Sequence, residues 1–183
     1  MKKLFFIIAL ALSLVGCSEK YYFEWTDKDA IAPISSDSES GSDLFSDSDA
    51  AYGIAMELLK QNGIYFESSF SITVDDPQAE AIIINDQQVI ADVVKQLGFE
   101  TKISGIETDK FSLVAGYVVT AQTGKYIISQ RAKQTSEGVS MRIVVEEDPR
   151  YGAYCTQSRW YYLGLYDTDL PSGPVDKIYC TYK

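Results

Sequence analysis

Five β-prone runs follow one another in the second half of the chain: Phe111 to Ala121, Lys125 to Ala132, Val139 to Glu146, Arg159 to Tyr166 and Lys177 to Tyr182. The segments between them, Gln122-Thr123-Gly124, Gln134 to Gly138, Asp148-Pro149 onward and Asp167 to Pro174, carry the residues that make turns. Short strands in such succession imply an antiparallel sandwich or open barrel, in which each strand buries one face.

The first half supplies what closes that sheet. Val89, Ile90, Val93, Val94 and Leu97 recur at helical spacing, Asn85 stands at the N-cap with Gln88 three residues on, and Gly98 offers a left-handed stop. Ala81 to Ile84 reads as a short buried strand before it. Between Asp49 and Asn62 the pattern fits either a helix ending at Gly63 or a strand entering a hairpin, and the run Ala55-Met56-Glu57-Leu58-Leu59-Lys60 favours the helix. Ile64, Phe66, Phe70, Ile72 and Val74 alternate with polar residues as in a half-buried strand, which Asp75-Asp76-Pro77 ends. The expectation is one α+β domain over residues 50–183, an antiparallel β-sandwich or open barrel with one or two helices packed on one face or end.

The N-terminus differs in kind. Lys2 and Lys3 precede an uncharged apolar run from Leu4 to Val15, and Leu14-Val15-Gly16-Cys17 ends it. The run is shorter than the roughly 20 residues a spanning helix requires. It resembles the signal of bacterial lipoproteins, which implies that residues 1–16 are removed and that Cys17 is acylated, anchoring the chain to a membrane of the cell envelope. The outer membrane is the expected one, with the periplasmic and surface faces both open, and Ser18-Glu19-Lys20 carries only a trace of the acidic signal of surface-exposed lipoproteins. Acyl chains contribute about 0.8 kcal/mol per buried methylene, enough to hold a domain at a bilayer without a spanning segment.

Residues 17–49 read as an acidic tether. Ser35 to Asp49 is rich in Ser and Asp and poor in apolar residues, too poor to offset its ordering entropy. Its spaced acids do not make a calcium loop, because from Asp37 the sixth position is Ser42 and the twelfth Ser48. Ahead of it, Tyr21, Tyr22, Phe23 and Trp25 fit either an interfacial belt beside the lipid or an edge strand packed on the domain.

Charge and composition narrow the chemistry. Without Lys2 and Lys3, 14 Lys+Arg face 26 Asp+Glu, a formal −12 that makes nucleic acid a poor partner. There is no histidine, so Ser-His-Asp and Cys-His sites and histidine-ligated metals are excluded. With Cys17 assigned to lipid, Cys155 and Cys180 form an even pair in an exported protein, which predicts a disulfide worth roughly 3–4 kcal/mol in the chain-entropy account. No metal site and no cofactor are expected.

Two sets of residues remain for binding. Along a strand, Trp160, Tyr162 and Tyr166 share one face and Tyr161, Leu163 and Leu165 the other, with Tyr151 and Tyr154 nearby in sequence. Exposed, the first face would stack on sugar rings or a protein; packed, it is core. Carboxylate pairs such as Asp75-Asp76, Glu146-Glu147-Asp148 and Asp167-Asp169 leave glycoside hydrolysis as a third reading.

The order of capped helix, Ile106 to Tyr117, then Thr123-Gly124-Lys125-Tyr126-Ile127-Ile128 and alternating strands through Cys180 resembles small lipoprotein domains of Bacteroidetes and of protease-complex accessory subunits. It departs from their plan at Lys110 and Lys125. The resemblance implies a non-catalytic accessory domain with a protein partner, such as an exported protease, met through loops around Thr123, Gly124 and Lys125, around Tyr151 and Tyr154, and around Asp167 to Pro174. A carbohydrate-binding module using Trp160, Tyr162 and Tyr166 is the competing expectation.

Overall fold

Leu113, Ala115, Tyr117 and Val119 alternate with Val114, Gly116 and Val118 along one strand, and both sets are apolar. A strand of that kind is covered on both sides, and here it lies at the centre of three layers. The structure, a computed structural model, describes residues 25–34, 49–65, 79–104, 106, 110–122, 125–147 and 154–182. Cys17, Thr123, Gly124, Tyr151 and, of the strand expected over Ile64 to Val74, all but Ile64 and Tyr65 lie outside them.

The elements are α1 (Asp49–Gln61), β1 (Ala79–Ile84), α2 (Gln87–Gln96), a single turn α3 (Glu100–Ile103), β2 (Ser112–Gln122), β3 (Lys125–Thr135), β4 (Gly138–Glu147), β5 (Tyr154–Tyr166), β6 (Gly173–Pro174) and β7 (Lys177–Tyr182). One sheet has the order β5-β2-β1-β6 and the other β3-β4-β7, so the α+β sandwich expected from the strand pattern is what forms. All pairings are antiparallel except β4 with β7, because the chain crosses between sheets at β6 before β7 joins.

The region from Asp49 is helical. Ala51, Ala55, Leu58 and Leu59 of α1, with Ile90, Val93 and Val94 of α2, bury against Leu113, Ala115, Leu163 and Leu165 of the four-stranded sheet. Gly63 and Gly98 follow the two helices at φ +78° and +72°, the left-handed conformation that ends them. The N-cap of α2 is Asp86, one residue after the expected Asn85: its carboxylate accepts from Gln88 N–H (2.9 Å) and Val89 N–H (3.3 Å). Asn85 instead donates to Leu170 O (2.5 Å), pinning the loop before β6.

The opposite face of that sheet packs on the other one. Ala81, Ile83, Val114, Val118, Tyr162 and Tyr166 meet Ala132, Met141, Ile143 and Val145. At one side the sheets are sewn by the β6–β7 connection, where Val175 N–H donates to Ala81 O and Asp176 N–H to Val139 O, each at 2.9 Å.

At the other side residues 25–34 do the sewing, and the expected tether over residues 17–49 is corrected there. Trp25 packs on Tyr179 of β7 (centroids 5.5 Å apart), Asp27 pairs with Arg142 of β4 (3.1 Å), and Ile31 exchanges both backbone hydrogen bonds with Ala132 on the free edge of β3 (2.7 and 2.9 Å). Ile34 N–H then donates to Leu165 O of β5, the edge strand of the other sheet, at 2.7 Å. Trp25 thus follows the packed reading. One segment thus occupies a point on each of two sheet edges, which interrupts the open pairing sites there. Among the described residues no helix is long and apolar enough to cross a membrane.

Candidate functional site

The aromatic run on β5 lies as its alternation predicts, and both faces are covered. Tyr162 and Tyr166 sit between the sheets at 2% and 0% exposure, with Trp160 partly buried on the same side. Of the two outcomes open for this face, Tyr162 and Tyr166 take the packed one, and Trp160 is partly buried beside them. Gly116 stands opposite Tyr162 in the β2–β5 register, and the Tyr162 ring lies across the space that a Cβ at Gly116 would fill. Gly164 leaves room in the same way for the Gln130 amide, whose Nε2 donates to Leu163 O (2.8 Å) on the outer edge of β5.

This inter-sheet layer holds unpaired polar atoms. Among the described residues the Tyr162 hydroxyl, Gln130 Oε1 and Trp160 Nε1 are buried without a hydrogen-bond partner. Burial pushes the Tyr162 phenol well above its ordinary range and the Cys180 thiol up to about 12, so both stay protonated at neutral pH. A thiol so held is a poor nucleophile.

Cys180 is a free thiol, so the expected disulfide with Cys155 is not formed in this structure. The reason is the strand geometry. Cys180 faces Tyr162, whereas Cys155 lies seven residues earlier on the same strand, on the order of 20 Å away at about 3.3 Å per residue. A bridge requires α-carbons closer than about 7 Å.

The helix side offers a surface instead. Tyr117 of β2, Tyr161 of β5 and Tyr52 of α1 form a ladder of rings running outward, with centroids 6.0 Å apart between Tyr117 and Tyr161 and 4.7 Å between Tyr161 and Tyr52, edge to face. Tyr117 is buried, and its phenol is pushed up to about 12, first by desolvation and then by the neighbouring Glu80 carboxylate. Tyr52 is 40% exposed, its phenol raised by partial burial and by Tyr161. Met56, one helical turn on from Tyr52, is 46% exposed. These are the large apolar side chains that α1 shows to solvent, and an exposed aromatic and a methionine over a packed ring make a contact surface for an apolar partner group. Sequence reasoning placed α1 but missed this patch; the i, i+4 pair Tyr52 and Met56, outside the stripe Ala51, Ala55, Leu58 and Leu59, was the available signal.

The remaining expected residues divide plainly. Lys125 and Tyr154 lie in β3 and β5. The loop from Asp167 is fastened from inside: Ser112 Oγ donates to Thr168 O (2.7 Å) and accepts from Leu170 N–H (2.8 Å), while Lys110 pairs with Asp169 at the surface (3.2 Å). Among the described residues no three His, Cys, Asp or Glu side chains gather as metal ligands would. No family model matches the chain, and no curated protein or solved structure matches it either.

Proposed function

We propose that this chain is a lipid-anchored, non-catalytic binding domain of the cell envelope, held at its membrane by acylated Cys17 and meeting a protein partner through the outer face of α1. The observation that carries the reading is the Tyr52–Met56 surface, two exposed apolar side chains one turn apart on a helix and backed by Tyr161. Rigid aromatic anchors of this kind concentrate binding energy where they can be desolvated. The burial of Tyr162 and Tyr166 between the sheets favours a protein partner over a sugar ring stacked on that strand face. Of the loop acids a glycosidase could use, Asp169 is engaged with Lys110 and Asn85 at the surface.

A photo-crosslinking amino acid at position 56, in the acylated chain in its native membranes, tests this. One discrete protein adduct, lost in a Tyr52→Glu background and absent when the crosslinker stands at Lys95, is the expected result. Adducts that are equal at both positions, or none at position 56, contradict it.

A further inference from the structure

The outer face of the three-stranded sheet carries an arrangement that sheet pairing alone disfavours. In register across β3, β4 and β7 stand Arg131, Arg142 and Tyr179, and one rung along stand Lys133, Ser140 and Lys177. Arg131 and Arg142 are directly opposite, and like charges so placed repel. The strap that crosses this face adds Lys28. Among the described side chains, five of the 14 cations of the processed chain gather here, against the carboxylates of Asp27, Asp29 and Glu137. Asp176, at the end of the sheet, is taken up by Val139 N–H (2.7 Å). So counted, the face is net positive on a processed chain of formal charge −12.

Asp27 answers part of that charge. Its carboxyl is held below the usual carboxylate range, first by the Trp25 indole N–H (2.9 Å) and then by Arg142 and Arg131. Arg131 and Lys133 have no ion-pair partner among the described residues.

The described chain begins on this same face. Trp25 is fixed on Tyr179, and only seven residues, 18–24, separate it from Cys17. Eight steps of extended chain span at most about 28 Å. A domain held that short, by a strap docked on its most basic face, turns that face to the bilayer and its acidic remainder away. Tyr21, Tyr22 and Phe23 in the connection are residue types that settle at the headgroup level.

We infer that the outer face of β3-β4-β7, with Lys28, Arg131, Lys133, Arg142 and Lys177, is a docking surface for anionic phospholipid headgroups of the membrane that carries the anchor. The inference deepens the function proposed above and takes its membrane from that reading, while the binding itself needs no acyl chain. It also places the Tyr52–Met56 surface, three layers away, on the side facing the aqueous space.

Flotation of the processed full-length chain with Cys17→Ser, which has no anchor, separates the two ideas. At low salt it rises with phosphatidylglycerol vesicles and not with phosphatidylcholine vesicles, and 0.5 M NaCl, roughly a 4 Å screening length, releases it. Arg131→Glu with Lys133→Glu weakens the association at least about tenfold, since each surface cation near an anionic bilayer is worth about fivefold. Lys60→Glu with Lys95→Glu, on the helix layer, leaves it unchanged. The salt release requires no variant, so a misfolded double reversal does not decide the outcome. A chain that ignores phosphatidylglycerol, or binds it equally in both double variants, overturns the inference. Intact mass of the wild-type chain from cells reports acylation of Cys17 separately, and an unmodified Cys17 refutes the anchor without touching the flotation result.

Discussion

The four-stranded sheet is covered by two helices, whose Ala51, Ala55, Leu58, Leu59, Ile90, Val93 and Val94 interlock with it in an apolar layer. The three-stranded sheet is crossed on its outer side by ten residues without helix or strand, turning at Lys28-Asp29, which hold on through one ring contact, one ion pair and three backbone hydrogen bonds. The first cover is stabilised by apolar area, at roughly 25 cal/mol per Å². The second interrupts two open sheet edges and answers opposed arginines, at the cost of ordering a short segment. A helix layer of that kind is a rigid platform, suited to presenting Tyr52 and Met56. A strap is a device for fixing where the chain leaves the body.

Several substitutions break or sharpen that contrast. Leu163→Ala, beneath the helices and fully buried, should cost about 2–5 kcal/mol in urea denaturation, the largest single loss expected. Gly116→Ala drives a methyl into the Tyr162 ring and should cost about 1–3 kcal/mol, most of it recovered in a Tyr162→Val background, where the double-mutant cycle isolates the clash. Trp25→Ala should cost about 1 kcal/mol, the scale of a surface aromatic contact, and should speed proteolysis after Lys28 without loosening α1.

The strap and the sheet interior also respond to pH with opposite signs. Folding depresses the pKa of Asp27, so the strap's contribution is present above the ordinary carboxylate value and fades as pH falls through the lowered one. Folding raises Cys180 and Tyr117 to about 12, so stability is full below their unfolded values near 9 and 10 and declines above them, at about 1.4 kcal/mol per pH unit for each group. Cys180→Ala should flatten the decline from pH 9 to 10, measured as the change in urea midpoint. Under non-reducing conditions Cys155 and Cys180 should both take up an alkylating agent in unfolded wild-type protein; a bridged pair by mass would overturn the strand geometry described here.

Much of the helix side was legible in the sequence. The spacing of Val89, Ile90, Val93 and Val94 and the stops at Gly63 and Gly98 are local signals, and local signals survive into the fold. The alternation of β5 likewise separated Tyr162 and Tyr166 from Leu163 and Leu165, but not which side was exposed, because a strand covered on both faces offers no polar side to read. The strap was illegible for another reason. Its partners are remote, Arg142 standing 115 residues from Asp27, and a segment docked through backbone bonds to an edge shows no period of its own. Gly116 and Gly164, glycines within strand patterns, did mark places where another group comes close. The face of Arg131, Lys133, Arg142 and Lys177 emerged only with the register, since in sequence those cations are scattered among acids.

Whether residues 25–34 belong to the fold is decided most directly by amide hydrogen exchange of the processed chain at neutral pH. The Ile31 and Ile34 amides, bonded to Ala132 O and Leu165 O, should exchange orders of magnitude more slowly than unstructured peptide, with Ala132 protected alongside them. Exchange of Ile31 and Ile34 at the unstructured rate, with β3 and β5 still protected through their other bonds, would return the segment to a tether and remove the geometry on which the proposed docking of the basic face rests.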